Sequence, residues 1–306
     1  MSEPAVPFDP AAPDRDTLSL FLLERSGVRG ALVRLDDAWQ AIVARNAYPD
    51  AVAERLGETC AAAALFTGHV KVDGRLSVQL RGTGALRTLF AECTAAGTVR
   101  GIAMYEPPMP EPLTPRAFGP GSVMAITIES QPPGAQEMVR YQGMVGLEAE
   151  TLSEAFEDYF AQSEQLPTRV MLVADGRRAA AMMIQQLPEG HRDEDGFTRA
   201  SALFDTLGSR ELLEADSQAL LYNLFHEDEV RLVGRRPLAF GCSCSRERVS
   251  DVLRSLDLDE TLAAARDGLT EVHCDFCGQG YTFADQEVIA LFGTAGPNAP
   301  GSERLQ

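Results

Sequence analysis

Four of the six cysteines fall into two short pairs near the C-terminus: Cys242 and Cys244 in Gly241-Cys242-Ser243-Cys244-Ser245, and Cys274 and Cys277 in His273-Cys274-Asp275-Phe276-Cys277-Gly278. A C-x-C pair and a C-x-x-C pair with 29 residues between them demand a fold that brings two turns together. Zn²⁺ takes four soft ligands in a tetrahedron at about 2.3 Å, and two chelating turns supply them with little strain. Gly278 lets the second turn bend until both sulfurs face one point, and an extended Cys242-Ser243-Cys244 puts both thiols on one side. Two pairs of inert buried thiols are the plainer alternative. A disulfide across the tighter first pair would close a very small loop, and strained bridges of that kind are the labile, regulatory ones. The same four thiols can therefore hold a metal when reduced and form two local disulfides when oxidised.

At 306 residues and 45% hydrophobic composition, the chain has material for about two domains with real cores. Its net charge of −18 repels phosphate backbones, so nucleic acid is excluded as a partner. Met1 to Asp16 is rich in Pro, Ala and Asp rather than apolar, and no apolar run approaches a membrane span. We expect a cytoplasmic protein without a membrane partner, in a compartment that keeps thiols reduced and makes paired cysteines metal-binding or redox-sensing. Cys60 and Cys93, single among apolar residues, read as buried small hydrophobes.

The hydrophobic pattern predicts an α+β chain. Residues 1–174 form an α/β core domain of sheet and helices, with residues 1–15 a mobile arm; 175–230 form a helical middle segment of low intrinsic stability. Residues 231–292 form a small zinc-binding, redox-switch domain, and 293–306 a disordered tail. Within the first domain, a hairpin turns at Ser26-Gly27, Asp37 caps a helix from Ala38 to Asn46, and Pro49 opens a second helix to about Phe66 whose small residues suit close packing on a sheet. Strands follow at Val70-Lys71-Val72, Arg75 to Leu80, Leu86 to Glu92, Thr98 to Tyr105, Val123 to Ser130 and Met138 to Val145. Gly82-Thr83-Gly84 reads as a turn, since the third glycine and helix of a phosphate loop are missing. Pro107 to Pro120 carries six prolines and is irregular. Leu152 to Ser163 is an amphipathic helix burying Leu152, Ala155, Phe156, Tyr159 and Phe160, and Arg169 to Ala174 is a strand that closes the domain.

Residues 175–229 carry 12 acidic against 5 basic residues, an acidic turn at Glu189 to Asp195, and leucine-rich helical stripes that need a partner surface. Glu227-Asp228-Glu229 reads as a solvated face. In the last domain Ser245 and Asp259 cap helices, Gly268 ends the second of them, Leu269 to His273 and Gln279 to Phe283 form a hairpin around the knuckle, and Asp285 starts a final helix.

Phe240-Gly241-Cys242-Ser243-Cys244-Ser245-Arg246-Glu247-Arg248-Val249 and Glu271-Val272-His273-Cys274-Asp275-Phe276-Cys277, with Tyr281 and Phe283 beyond, resemble the redox-regulated 33 kDa chaperonin family (HslO). Val28-Arg29-Gly30, Tyr48-Pro49, Leu56-Gly57-Glu58, Tyr141-Gln142-Gly143 and Tyr159 to Thr168 are also similar to that family, so the likeness covers nearly the whole chain. The resemblance implies an ATP-independent holdase, not an enzyme, for unfolded or aggregation-prone client proteins. It implies that Cys242, Cys244, Cys274 and Cys277 hold one zinc in an inactive reduced form. Oxidation then forms Cys242–Cys244 and Cys274–Cys277 disulfides, releases the metal and activates the chain; a homodimer of the oxidised form is admitted. Asp257-Leu258-Asp259 and Asp285-Gln286-Glu287-Val288 depart from the family pattern and affect local helix geometry, not the ligands. Loss of metal is expected to unfold the last domain and loosen the middle segment.

The rival reading is a thiol-disulfide oxidoreductase working through Cys274-x-x-Cys277, but Gly278-Gln279-Gly280 follows the pair where such a site has a helix. A hydrolytic zinc enzyme needs an open coordination position, and four thiolates close the shell. His273 could replace a thiolate, although adjacent strand residues face opposite ways.

Overall fold

A computed structural model describes residues 14–69, 73–131, 138–188, 193, 195–263 and 265–293. Most of the expected N-terminal arm, the C-terminal tail, Val70-Lys71-Val72 and most of the acidic turn at 189–195 lie outside these residues. The chain divides into two compact units, Met1–Gly241 and Cys242–Gln306.

The first unit contains β1 (Thr17–Leu23), β2 (Val28–Leu35), α1 (Asp37–Val43), α2 (Asp50–His69), β3 (Gly74–Arg81), β4 (Leu86–Thr94), β5 (Thr98–Tyr105), β6 (Val123–Ser130) and β7 (Val139–Gly146). It continues with α3 (Leu152–Ser163), β8 (Thr168–Ala174), β9 (Ala179–Gln186), α4 (Gly196–Phe204), α5 (Ser209–Glu214), α6 (Ser217–Phe225), β10 (Val230–Pro237) and β11 (Ala239–Phe240). Two sheets result, ordered β10-β1-β2-β9-β8 and β11-β5-β4-β3-β6-β7. Every pairing is antiparallel except that of β11 with β5.

Helix α2 packs on strands of both sheets, which is why Cys60 to Phe66 is buried on every side. Its small residues set the approach: a Cβ on Gly57 would stand 2.6 Å from Cβ of Ala174, so a larger side chain there must push the helix off the sheet. Phe66 lies 4.9 Å from Phe156 and 5.0 Å from Phe160, joining α2 to the apolar face of α3. That helix matches its sequence pattern, with all five expected side chains buried and a capping box formed by Thr151 and Glu154. Gly82 and Gly84 form a turn pressed against the backbone of a 3₁₀ turn, Pro115–Phe118, in the proline-rich excursion. Cys60 and Cys93 are both fully buried.

Glu58 sits in the same buried helix, its carboxylate 2.8 Å from the Arg55 guanidinium. Burial outweighs Arg55 and pushes the Glu58 carboxyl from its ordinary 4.5 up to about 8. The folded chain thus keeps a proton that the unfolded chain releases; the associated stability is complete below about pH 4.5 and disappears as pH rises through about 8. Glu58→Gln should flatten this decline, which amounts to a few kcal/mol at most. Urea midpoints measured across that window check it: an equal decline in both proteins would remove Glu58 as the cause.

Three expectations for the first unit need correction. Asp37 does not cap α1; the N-cap is Asp36, without a side-chain cap bond, and the first amides of the helix, Asp36, Asp37 and Ala38, instead donate to the carboxylate of Asp16. The boundaries placed after residues 174 and 230 both fall inside one sheet, because β9 inserts between β2 and β8 and β10 pairs with β1. Only α4, α5 and α6 of the middle segment are a helical layer. They set Leu212, Leu220, Leu221 and Phe225 on Phe21, Leu23, Leu32, Met182 and Ile184, the face of the sheet turned away from α2. Finally, Asp228 is not solvated: it is 1% exposed and accepts from Ser26 Oγ at 2.5 Å and Arg199 at 3.4 Å.

The second unit holds α7 (Arg246–Ser255), α8 (Leu258–Ala263), β12 (Leu269–His273), β13 (Gly280–Ala284) and α9 (Asp285–Gly293). Ser245 caps α7 as expected, accepting from the Arg248 amide. At α8 the side chain that accepts is Asp257, from the Asp259 amide, two residues before the expected cap.

Candidate metal centre

Strands β12 and β13 form a two-stranded antiparallel hairpin, with Val272 opposite Tyr281 and His273 opposite Gly280. The connection between them is the C-x-x-C turn. The Cys274 carbonyl accepts from the Cys277 amide at 3.3 Å and the Gly278 amide at 2.7 Å, while the Cys274 amide donates to the Gln279 carbonyl at 3.0 Å. Gly278 adopts φ +71°, the left-handed conformation that glycine takes without Cβ strain, and this completes the turn. On the other side, the Arg248 guanidinium donates to the Ser243 carbonyl at 2.9 Å and its hydroxyl at 2.6 Å, bracing the C-x-C segment from α7.

The result is a cluster in which the sulfurs of Cys242, Cys244, Cys274 and Cys277 all lie within 4.8 Å of one another. Cys242 and Cys274 are 3.7 Å apart, and Cys244 and Cys277 3.3 Å. A tetrahedral ion with ligands at about 2.3 Å has sulfurs roughly 3.8 Å apart, so the spacing fits such an ion. The surrounding donors fit as well. Backbone amides of Cys277 and Phe276 donate to Cys274, the Gln279 amide donates to Cys277, and the Tyr281 hydroxyl donates to Cys244 at 3.1 Å. Against the upward push of burial, hydrogen bonds from Tyr281 and the neighbouring thiols bring Cys244 down to about 7, whereas burial pushes Cys277 up to about 12 and also raises Cys274. Four sulfurs this close cannot all ionise without a compensating cation, and a four-thiolate donor set of this geometry suits zinc.

A small core supports the cluster. Among the described residues of this unit, Val249, Leu253, Phe283 and Val288 form its buried cluster, with Tyr281, Val272 and Leu262 packed against it. The Arg246 guanidinium lies 4.1 Å from the Phe283 ring centroid and bonds to the Thr282 carbonyl and Glu287, each at 2.8 Å, tying α7 to β13 and α9. His273, the one imidazole beside the pairs, is exposed and stands outside the cluster.

The family model for Hsp33 protein matches residues 16–284, a span that includes both cysteine pairs and both sheets. The chain belongs to the Hsp33 family. Among Hsp33 relatives, the 33 kDa chaperonin of Ectopseudomonas mendocina is 41% identical over 292 residues, covering 93% of this chain and 97% of that protein. The 33 kDa chaperonin of Azotobacter vinelandii is 42% identical over 299 residues, covering 95% and 99%. The crystal structure of the 33 kDa chaperonin (heat shock protein 33 homolog) from Thermotoga maritima matches with a TM-score of 0.76 at 22% identity, covering 91% of this chain and 98% of that one, and so shares the Hsp33 fold. All four cysteines picked from their spacing are brought together in this Hsp33 chain, and Cys60 and Cys93 are not among them. Sequence reasoning missed the hydroxyl of Tyr281 as a partner of the cluster. The available signal was strand alternation, which places Tyr281 on the face of β13 that carries Phe283 into the module core.

Proposed function

We propose that this Hsp33-family chain is a redox-regulated, ATP-independent holdase whose reduced, zinc-bound form is inactive. The observation that carries the reading is the convergence of four cysteine sulfurs within 4.8 Å in a chain of this family. Family membership and the chaperonin relatives support the chaperone part. Bound zinc would keep all four sulfurs as thiolates and lend its binding free energy to the folding of residues 242–293. Oxidation removes the ligands: within each pair two thiolates give two electrons to a peroxide, R–S⁻ + R′–S⁻ + H₂O₂ becoming R–S–S–R′ + 2 OH⁻. We assign the bridges to Cys242–Cys244 and Cys274–Cys277, with the C-x-x-C pair closing first because its loop is less strained. Every sulfur pair lies within reach, so loop closure rather than distance governs the order.

Without its metal the small module unfolds, and α4–α6 loosen from the sheet beneath them, uncovering leucine and phenylalanine side chains on both surfaces for unfolded clients. Such binding needs no nucleotide, and the charge of −18 keeps the opened form dispersed and repels nucleic acid. A reducing cytoplasm is the compartment in which the switch would rest closed. No enzymatic reaction is assigned, since four sulfurs fill the shell and Cys274-x-x-Cys277 lies in a turn between two strands rather than at a helix N-terminus.

The reduced chain should carry one zinc, retained in Cys60→Ser and Cys93→Ser and lost in Cys274→Ser. Peroxide should release it and switch on suppression of client aggregation without ATP. Peptide mapping should find the two within-pair bridges, and sedimentation tests for an oxidised homodimer. Cross-pair bridges would overturn the assigned pairing, and retained zinc in an active oxidised form would overturn the switch.

A further inference from the structure

We propose that Tyr281 is a positioning residue of the metal centre: its hydroxyl, 3.1 Å from Cys244 Sγ, holds that sulfur, slows loss of the metal and raises the peroxide exposure needed to open the site. The inference rests on the reading of the cysteine cluster as a redox-regulated zinc centre. Tyr281 is placed for the task by the hairpin. Its register opposite Val272 in β13 and its packing against the buried cluster of Val249, Leu253, Phe283 and Val288 fix the ring. The hydroxyl therefore meets the sulfur at little entropic cost.

The bond acts in two ways. Four thiolates around one dication leave a local charge of two negatives in a chain already at −18, and an O–H dipole directed at one sulfur offsets part of it. Groups of this outer kind typically change metal affinity 10- to 100-fold. The bond also engages a sulfur lone pair. When the C-x-C pair is oxidised, the Cys244 thiolate attacks one oxygen of hydrogen peroxide, the O–O bond breaks, and sulfenic acid forms as hydroxide leaves; electron density drawn toward the tyrosine hydroxyl makes that attack slower. Backbone amides serve the C-x-x-C pair, so Tyr281 is a side-chain donor whose removal leaves the peptide framework untouched.

The experiment compares wild type, Tyr281→Phe and Leu262→Ala as full-length, reduced chains. Leu262→Ala weakens the same small core from α8, which carries none of the cysteines. The first readout is the rate of zinc transfer to a chromophoric chelator without oxidant; the second is the thiolate-to-metal charge-transfer band of the cobalt-substituted chains; the third is the rate of zinc release in peroxide. Tyr281→Phe should release zinc about 10-fold faster in both assays and shift the cobalt band, while Leu262→Ala leaves the band in place and releases zinc more slowly than Tyr281→Phe. A Tyr281→Phe chain that fails to load metal while Leu262→Ala loads it supports the proposal equally. Wild-type rates and band in Tyr281→Phe would overturn it, as would equal acceleration in both variants, which would assign the effect to core packing. Absence of zinc from wild type would instead overturn the zinc reading itself, and with it the inference.

Discussion

Chelating the metal from the reduced chain is expected to unfold the second unit and loosen α4–α6, while the two sheets and α2 of the first unit stay folded. The asymmetry follows from what each unit buries. The first has a core running through both faces of one sheet and around α2, whereas the second sets four side chains, Val249, Leu253, Phe283 and Val288, at the centre of its buried cluster. Metal binding in small modules contributes on the order of 10 kcal/mol to folding, far more than a core of that size supplies. Hydrogen exchange should show β12, β13 and α7 losing protection on chelation, with β1 to β9 unchanged; Cys277→Ser should do the same without a chelator. A chelated chain in which the β12–β13 hairpin kept its protection would show that the module folds on its own, and loss of ligands could then not be the trigger.

The second large effect concerns Arg34. Its side chain, 7% exposed, reaches from β2 to the junction of α5 and α6, where it donates to the Leu213 carbonyl and Ser217 hydroxyl at 3.1 Å each, to the Ala215 carbonyl, and pairs with Asp14 at 3.3 Å. Arg178 adds a bond to the Leu213 carbonyl at 3.3 Å. Arg34→Ala strips its donor from the Ala215 carbonyl and the Ser217 hydroxyl and leaves the Leu213 carbonyl to Arg178 alone, which costs about 3 kcal/mol, most of it borne by the attachment of the helical layer. Exchange in residues 196–225 should then rise roughly a hundredfold in the reduced, zinc-loaded variant, and that variant should hold clients without peroxide. Arg34→Lys should recover only part of the effect, because an ammonium cannot reproduce the planar fork. Wild-type exchange in Arg34→Ala would mean that apolar contacts alone retain the layer.

The metal centre was legible in the sequence because chelating spacing is a local property: a C-x-C and a C-x-x-C pair each state their own turn, and the cluster contains all four sulfurs. Helix α3 was legible for the same reason, with cap, stripe and length inside one short stretch. Strand β9 was not. Its sequence, AAAMMIQQ, is buried from Ala179 to Gln185, since α2 covers one face and the helical layer the other, so the alternation that marks a half-exposed strand is missing. The position of β10 was equally hidden, because its partner β1 is fixed by pairing and not by anything in its own residues. The Asp16 carboxylate at the start of α1 shows the same limit, a cap supplied from some 20 residues upstream.

The pairing of β1 with β10 also orders events during synthesis. Strand β1 can find β2 at once across a short turn, but its other edge waits for a segment that emerges roughly 200 residues later, about 10 to 40 seconds at ordinary translation rates. Throughout that interval the nascent chain presents an unpaired apolar edge carrying Leu18, Leu20 and Leu22, the kind of surface that aggregates most readily. A chain proposed to guard other proteins from aggregation is therefore itself vulnerable while being made, and its own yield should depend on what shields that edge until the last strand arrives.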